Sequence, residues 1–294
     1  MAHRVRVYTR SKYRSAVSEF LASRALSPAV EFDYSEACLA ELGAPTDSSA
    51  REVRGDDGVP YFDVAEYGAE LRTETLGRTL LYAQTLNSTQ TLVKDALWGL
   101  DAQWGALAVA ERQVKGTGRG SNAWSSPPGC LMFTFHSQFT SGRSLPFVQY
   151  MISVAMLQAI ESTTPTAGAS AGSAKRLPIY IKWPNDIYAD LGAVGGGDAE
   201  CDSSERAASA ECAAGAGRGA AGMVKIAGIL CNSSSMHAGR FDVVTGVGLN
   251  VWNDEPTTSL RAIVELANAQ AAVSVLLCTV TFHANLAHSL TRSP

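Results

Sequence analysis

GALAVAERQVKGTGRGSNAWSSPPGCLMFTFH, residues 105–136, decides how this chain is read. GALAVAER (105–112) predicts a short buried strand and LMFTFH (131–136) a second, since both are compact apolar runs bounded by turn formers. Between them, residues 115–129 hold four glycines, two prolines, two cations (Lys115 and Arg119) and one tryptophan, Trp124. So many breakers exclude both helix and strand. No Gly-Lys-Ser/Thr closes the loop, so it is not a Walker loop. Its third glycine is missing and Pro127–Pro128 forbid a following helix, so it is not a dinucleotide fingerprint. Taken alone, the stretch reads as a basic surface loop between two strands.

Outward from the loop, the pattern stays mixed. Thr79–Thr85 is apolar and strand-like, and Ser88 or Thr89 supplies an N-cap for a helix reaching about Leu100. Phe147–Ile160 is apolar nearly all round and predicts a buried helix. LPIYIKW (177–183) alternates as a strand, VKIAGILC (224–231) and FDVVTGVGLNV (241–251) predict a hairpin pair, and Thr258–Ala272 a last helix. Ser162–Ala174 reads as a low-complexity linker. Leu191–Gly222 is mostly alanine and glycine without an aromatic residue, too little apolar surface to offset ordering entropy, and predicts a disordered insertion. Residues 1–70 are weakly patterned, with no helix-turn-helix carrying a basic recognition face. Strands outnumber helices and cluster as hairpins, so the class is α+β: a mixed, largely antiparallel sheet packed with helices.

Composition narrows the function. The chain has 294 residues, 46% of them hydrophobic, enough for a sizeable core. A net charge of −4 argues against a protein that coats nucleic acid or an anionic membrane, so any anion site must be local. The six cysteines form no CxxC pair and the five histidines no metal-ligand spacing, which points to reduced thiols in an intracellular protein. The apolar run Ala271–Val280 is about half of the ~20 residues that span a bilayer. The N-terminus is arginine-rich, as organelle transit peptides are, yet Val5 and Val7 alternating with Arg4 and Arg6 read better as a half-exposed strand. The expected compartment is the cytoplasm, with the mitochondrion as the alternative.

Three further segments give the loop a context. IKWPNDIYAD (181–190) puts Lys182, Asn185 and Asp186 at a strand end, KIAGIL (225–230) puts Lys225 at a strand start ahead of Gly228, and TGVGLNVWN (245–253) places small residues and Asn250 along another strand. In this order, after Ser88-Thr89 and the glycine-rich loop, they resemble the biotin protein ligases, most of all the eukaryotic holocarboxylase synthetases. The resemblance covers about 77–267 and implies the class II synthetase-like catalytic domain of the biotin/lipoate ligases. It also implies a two-step ligation: the biotin carboxylate attacks the α-phosphate of ATP, giving biotinyl-AMP, and a lysine of a carboxylase biotin-carrier domain then takes the biotin.

Residue by residue, the resemblance implies the following roles. Lys225, Arg119 and Lys182 are the cations that join a carboxylate to a triphosphate. Ser88, Thr89 and Gln113 hydrogen-bond the neutral ureido ring, Gly116, Gly118 and Gly228 allow close approach, and Trp124 packs over biotin when the loop closes. Asn185, Asp186 and Asn250 lie on the ATP side with Arg119 and Lys225, and Asp186 is the carboxylate for Mg²⁺, a hard cation that prefers oxygen ligands. A closing loop excludes water from the mixed anhydride. Lys182, Asp186, Trp124, Ser88 and Thr89 also have plain structural readings as a solvated charge, a turn cap, a packing residue and helix caps. The expected organisation is an N-terminal extension of unknown role (1–70), a catalytic domain (71–272) with the insertion 191–222, and a tail (273–294) too short for the family's small C-terminal domain. A lipoate or octanoate ligase, or a catalytically weak biotin-binding protein, is the alternative.

Overall fold

Ala106, Ala108 and Ala110 face one side of their strand and Leu107 and Val109 the other, and each set joins a different core. That alternation repeats along the sheet and gives it two buried faces, each covered by helices. The structure, a computed structural model, describes residues 3–9, 13–23, 30–33, 58–97, 105–120, 122–163, 177–194, 222–235 and 239–267.

Nine strands among these residues form one sheet: β1 (His3–Thr9), β2 (Val30–Asp33), β3 (Thr79–Leu86), β4 (Ala106–Gln113), β5 (Cys130–Phe139), β6 (Ile179–Lys182), β7 (Asp186–Asp190), β8 (Met223–Ser235) and β9 (Phe241–Asn250). Their order is β2-β1-β3-β4-β5-β9-β8-β7-β6. β1–β2 and β3–β4 run parallel and the remaining pairs antiparallel. The expected mixed, largely antiparallel α+β sheet is therefore what forms, and β8 and β9 pair as the predicted hairpin.

Among the described residues, six α-helices flank it: α1 (Arg14–Ala22), α2 (Val64–Glu70), α3 (Thr89–Leu97), α4 (Val148–Thr163), α5 (Leu191–Val194) and α6 (Leu260–Ala267). The larger core joins Phe133 and Phe135 of β5 to Ile152, Met156 and Ile160 of α4 and Ile263 of α6. Across the sheet, Val5 and Val7 of β1 meet Val17 of α1 and Leu92 and Val93 of α3. Each such aliphatic side chain, fully buried, contributes about 1.5–3 kcal/mol. No helix among the described residues is long and apolar enough to cross a membrane; the run 271–280 lies outside them.

Three expectations change. The boundary at residue 70 falls inside one sheet, because β1 pairs antiparallel with β3 and the hydroxyls of Thr9 and Thr79, 70 residues apart, are 2.9 Å from each other. Phe62, Tyr67 and Leu71 likewise belong to the larger core. Pairing at such separation leaves no local trace in sequence. The insertion is ordered at both ends: α5 occupies 191–194 with Asp190 Oδ1 accepting from Gly192 and Ala193 N, and Leu191 N donates to Gly222 O at 2.9 Å. Residues 195–221 lie outside the described set, as do 164–176 of the expected linker. Finally, the helix predicted to be buried all round buries one side only. Phe147 just before α4, and Met151 and Val154 on it, are 61%, 45% and 46% exposed.

Candidate active site

Three glycines bare a strip of the sheet. Gly228 of β8 lies directly opposite Gly248 of β9, and Gly246 lies opposite Thr134 of β5. A Cβ on Gly248 would stand 2.5 Å from Trp124 Nε1, one on Gly228 3.3 Å from Trp124 Cζ3, and one on Gly246 would collide with Gln90 Oε1. The strip thus seats an indole and an amide where side chains would otherwise stand. Around it lies a cavity of about 470 Å³.

The glycine-rich stretch forms a short two-armed lid over this cavity. Thr117 and Ala123 make an antiparallel bridge, Gly118 N donates to Asn122 O (2.8 Å), and Trp124 N donates to Gly116 O (2.9 Å). Gly116 is needed there, because a Cβ would run into the Trp124 carbonyl. Arg119 sits at the tip and its guanidinium donates to Asn185 Oδ1 at 2.9 Å.

The polar end of the cavity is a chain of hydroxyls and amides. Gln113 Oε1 accepts from Thr89 N (2.7 Å) and Thr89 Oγ1 (3.0 Å), Gln113 Nε2 donates to Ser126 Oγ (3.0 Å), and Thr134 Oγ1 donates to Thr89 Oγ1 (2.9 Å). Ser88 holds the N-cap position of α3, but its hydroxyl lies 3.5 Å from Thr117 Oγ1 of the lid; the Gln113 side chain caps the first helical amide instead. Ser88, Thr89, Ser126 and Thr134 are all 5% exposed or less, and such neutral donors and acceptors suit a neutral polar ligand.

The charged end is built by a bulge. Tyr188 pairs with Lys225 but Ile187 with Ala227, so Ile226 is an extra residue in β8. Lys225 and Gly228, three apart, would fall on opposite faces of a regular strand; the bulge brings both onto the cavity face, opposite Tyr188 and Asp186. Lys225 Nζ then lies 2.7 Å from Asp186 Oδ1, an ion pair without hydrogen-bond geometry, and 5.4 Å from the centre of the Trp124 ring. Thr257 Oγ1 donates to Lys225 O at 2.9 Å and steadies the bulge from outside.

Ser88, Thr89, Gln113, Gly118, Arg119, Trp124, Asn185, Asp186, Lys225 and Gly228 all line the cavity. Three expected residues do not. Gly116 lies at the root of the lid. Lys182 stands opposite Asp186, yet its ammonium sits 4.8 Å over the Tyr188 ring. Asn250 is 2% exposed, with Nδ2 donating to Thr257 Oγ1 (2.9 Å) and Thr258 O (3.1 Å) and Oδ1 accepting from Cys130 Sγ (3.4 Å). Burial pushes the Cys130 thiol up to about 12, so it is a neutral donor. Asn250 therefore braces Thr257 and, through it, Lys225. Sequence reasoning missed Gln90, Thr117, Asn122, Thr134, Gly246 and Gly248, all in the lining. The two glycines carried a signal, since residues two apart on a strand share a face.

The family model for the biotin/lipoate A/B protein ligases matches residues 82–250. Biotin--protein ligase 2 of Arabidopsis thaliana is 32% identical over 213 residues, covering 72% of this chain and 52% of the relative. The human biotin--protein ligase is 28% identical over 215 residues, covering 71% of this chain and 24% of the relative. This chain thus spans about half the length of the plant relative. A solved biotin protein ligase from Aquifex aeolicus, in complex with biotin and ATP, aligns with a TM-score of 0.44 and 20% identity, over 73% of this chain and 72% of that one. Because the family model covers more than half of its residues, the chain belongs to the biotin/lipoate A/B protein ligase family.

Proposed function

We propose that this chain activates biotin with ATP to biotinyl-AMP and transfers biotin to a lysine of a carboxylase biotin-carrier domain. The observation that carries the reading is the two-ended cavity. Its hydroxyl-amide end fits a neutral ureido ring and its Lys225–Arg119 end fits a carboxylate meeting a phosphate, with the glycine strip between them.

In the first step a biotin carboxylate oxygen attacks the α-phosphorus and pyrophosphate leaves. Both reactants are anions, so Lys225 and Arg119 lower their repulsion and hold the charge that grows at phosphorus. Among the described residues, Asp186 is the one carboxylate lining the cavity. Mg²⁺ commonly takes one or two carboxylates and completes its shell with phosphate and water oxygens. Asp186 fits that role and would hold the ion, which supplies further charge neutralisation at the phosphates. In the second step the acceptor amine attacks the acyl carbon, AMP leaves, and the amine loses a proton. The lid, with Trp124 beneath it, keeps water from the anhydride until then.

The test is pyrophosphate release from MgATP with biotin, set beside lipoate, followed by the mass of a biotin-carrier domain incubated with the products. Biotin-dependent release and a carrier heavier by one biotinyl group support the reading. Release with lipoate alone moves the chain to the other branch of the family, and release with neither overturns the proposal.

A further inference from the structure

Asn185 is 7% exposed, and its amide is committed on both sides. Its Nδ2 donates to Ile229 O at 3.0 Å, while its own carbonyl accepts from Ile229 N at 2.9 Å. Side chain and backbone are thus clamped to β8, which fixes the direction of Oδ1. That atom accepts from Arg119 at the tip of the lid, 2.9 Å away. The next residue, Asp186, takes Lys225. Two neighbours on one turn therefore sort two cations: the carboxylate holds the lysine of the floor, and the neutral amide holds the arginine of the lid. Among the described residues Arg119 forms no ion pair.

We propose that Asn185 is the catch of the lid, a positioning residue that acts through Arg119. A neutral acceptor suits the task. A hydrogen bond from a charged donor is stronger than one between neutral groups, so it holds the closed arrangement. It leaves the guanidinium charge uncancelled, ready for an anion in the cavity. A carboxylate in the same place would neutralise Arg119 and compete with that anion. The inference deepens the ligase reading and rests on it for what the held arginine does next, namely move onto the phosphate of biotinyl-AMP.

The test has two arms. In the ligand-free protein, hydrogen exchange is followed at the Gly118, Asn122 and Trp124 amides, the donors within the lid. Asn185→Ala, Arg119→Ala and the double variant are compared. Each single change should speed exchange about tenfold, and the double no more than either. In the loaded protein, the half-life of bound biotinyl-AMP should fall about tenfold in Asn185→Ala while the Kd for biotin changes less than twofold. Effects that multiply in the double variant overturn the catch, because Asn185 would then act only through Ile229. Unchanged lid exchange in Asn185→Ala overturns it as well. If Asn185→Ala does not fold, Arg119→Ala keeps both Asn185–Ile229 bonds and decides the matter alone: unchanged lid exchange there overturns the catch. If the wild-type protein forms no biotinyl-AMP, the ligase reading falls while the exchange arm still judges the catch; adenylation with unaltered exchange sinks the catch alone.

Discussion

Gly248→Ala should open the lid while leaving the sheet intact. Gly248 has no positive φ, so alanine is compatible with its backbone, and removing a glycine from a strand is worth about 0.5–1 kcal/mol to the fold. The new Cβ, however, would stand 2.5 Å from Trp124 Nε1, 2.6 Å from Cε2 and 3.0 Å from Cζ2. A β-carbon on a central strand cannot yield, so the indole must. It would leave its seat beside Gly228 and its place under the Lys225 ammonium, 5.4 Å from the ring centre. Little holds it against this push: Nε1 is buried with no hydrogen-bond partner among the described residues. A cation–π contact of about 0.5–2 kcal/mol is lost with part of the ring's burial. A total of about 1–2 kcal/mol is a factor of 5–30 in the closed population. Amide exchange at Gly118, Asn122 and Trp124 should therefore rise by that factor, with the β5–β9 ladder unchanged. In a Trp124→Ala background, Gly248→Ala should have no further effect on the lid. Wild-type lid protection in Gly248→Ala, or loosening of β5–β9 together with the lid, would refute the seating argument.

Lys225→Ala should lower the rate of biotinyl-AMP formation by roughly 10²–10³, the usual loss when one charge-stabilising group is removed, with the melting temperature little changed; a normal adenylation rate in the folded variant refutes the assignment. Replacing residues 195–221 with a short Gly-Ser linker should leave both melting temperature and adenylation unchanged, because the flanks are already joined by Leu191 N to Gly222 O at 2.9 Å; a large loss of stability refutes this. Glu111 accepts from Phe62 N (2.8 Å) and Tyr82 Oη (2.7 Å), and burial raises its carboxyl pKa despite those bonds. A raised folded-state pKa means that its contribution is fully present below the unfolded value, about 4.3, and is lost as pH rises through the folded value. Glu111→Gln, neutral throughout, should therefore gain stability relative to wild type as pH rises from 4 to 8. Urea midpoints measured across that range would refute it by the opposite slope.

What the sequence shows and what it hides follow different physics. Strands that are continuous apolar runs, such as Ala106–Gln113 and Phe241–Asn250, are legible because burial on both faces demands a local apolar composition whichever strand is the partner. The lid is legible because glycine and proline exclude regular structure wherever they fall. The place of β1 is not, since Val5 and Val7 announce a strand but nothing near them names Thr79–Leu86 as its partner. Lys225 is the sharpest case. Its proposed role rests on the family resemblance, yet strict alternation in KIAGIL would turn it away from Gly228. The bulge at Ile226 corrects that, and no glycine or proline marks it. A bulge in the partner register is a property of two strands together, here 186–190 against 223–228, so one strand's sequence does not contain it. Asn250 makes the same point in reverse. Its motif position suggested a ligand contact, but Cys130 on β5 and Thr257 beyond β9 engage both ends of its amide. Its effect on the site then runs through the Thr257 hydroxyl to the carbonyl of Lys225, which holds that lysine's backbone where the bulge has turned it.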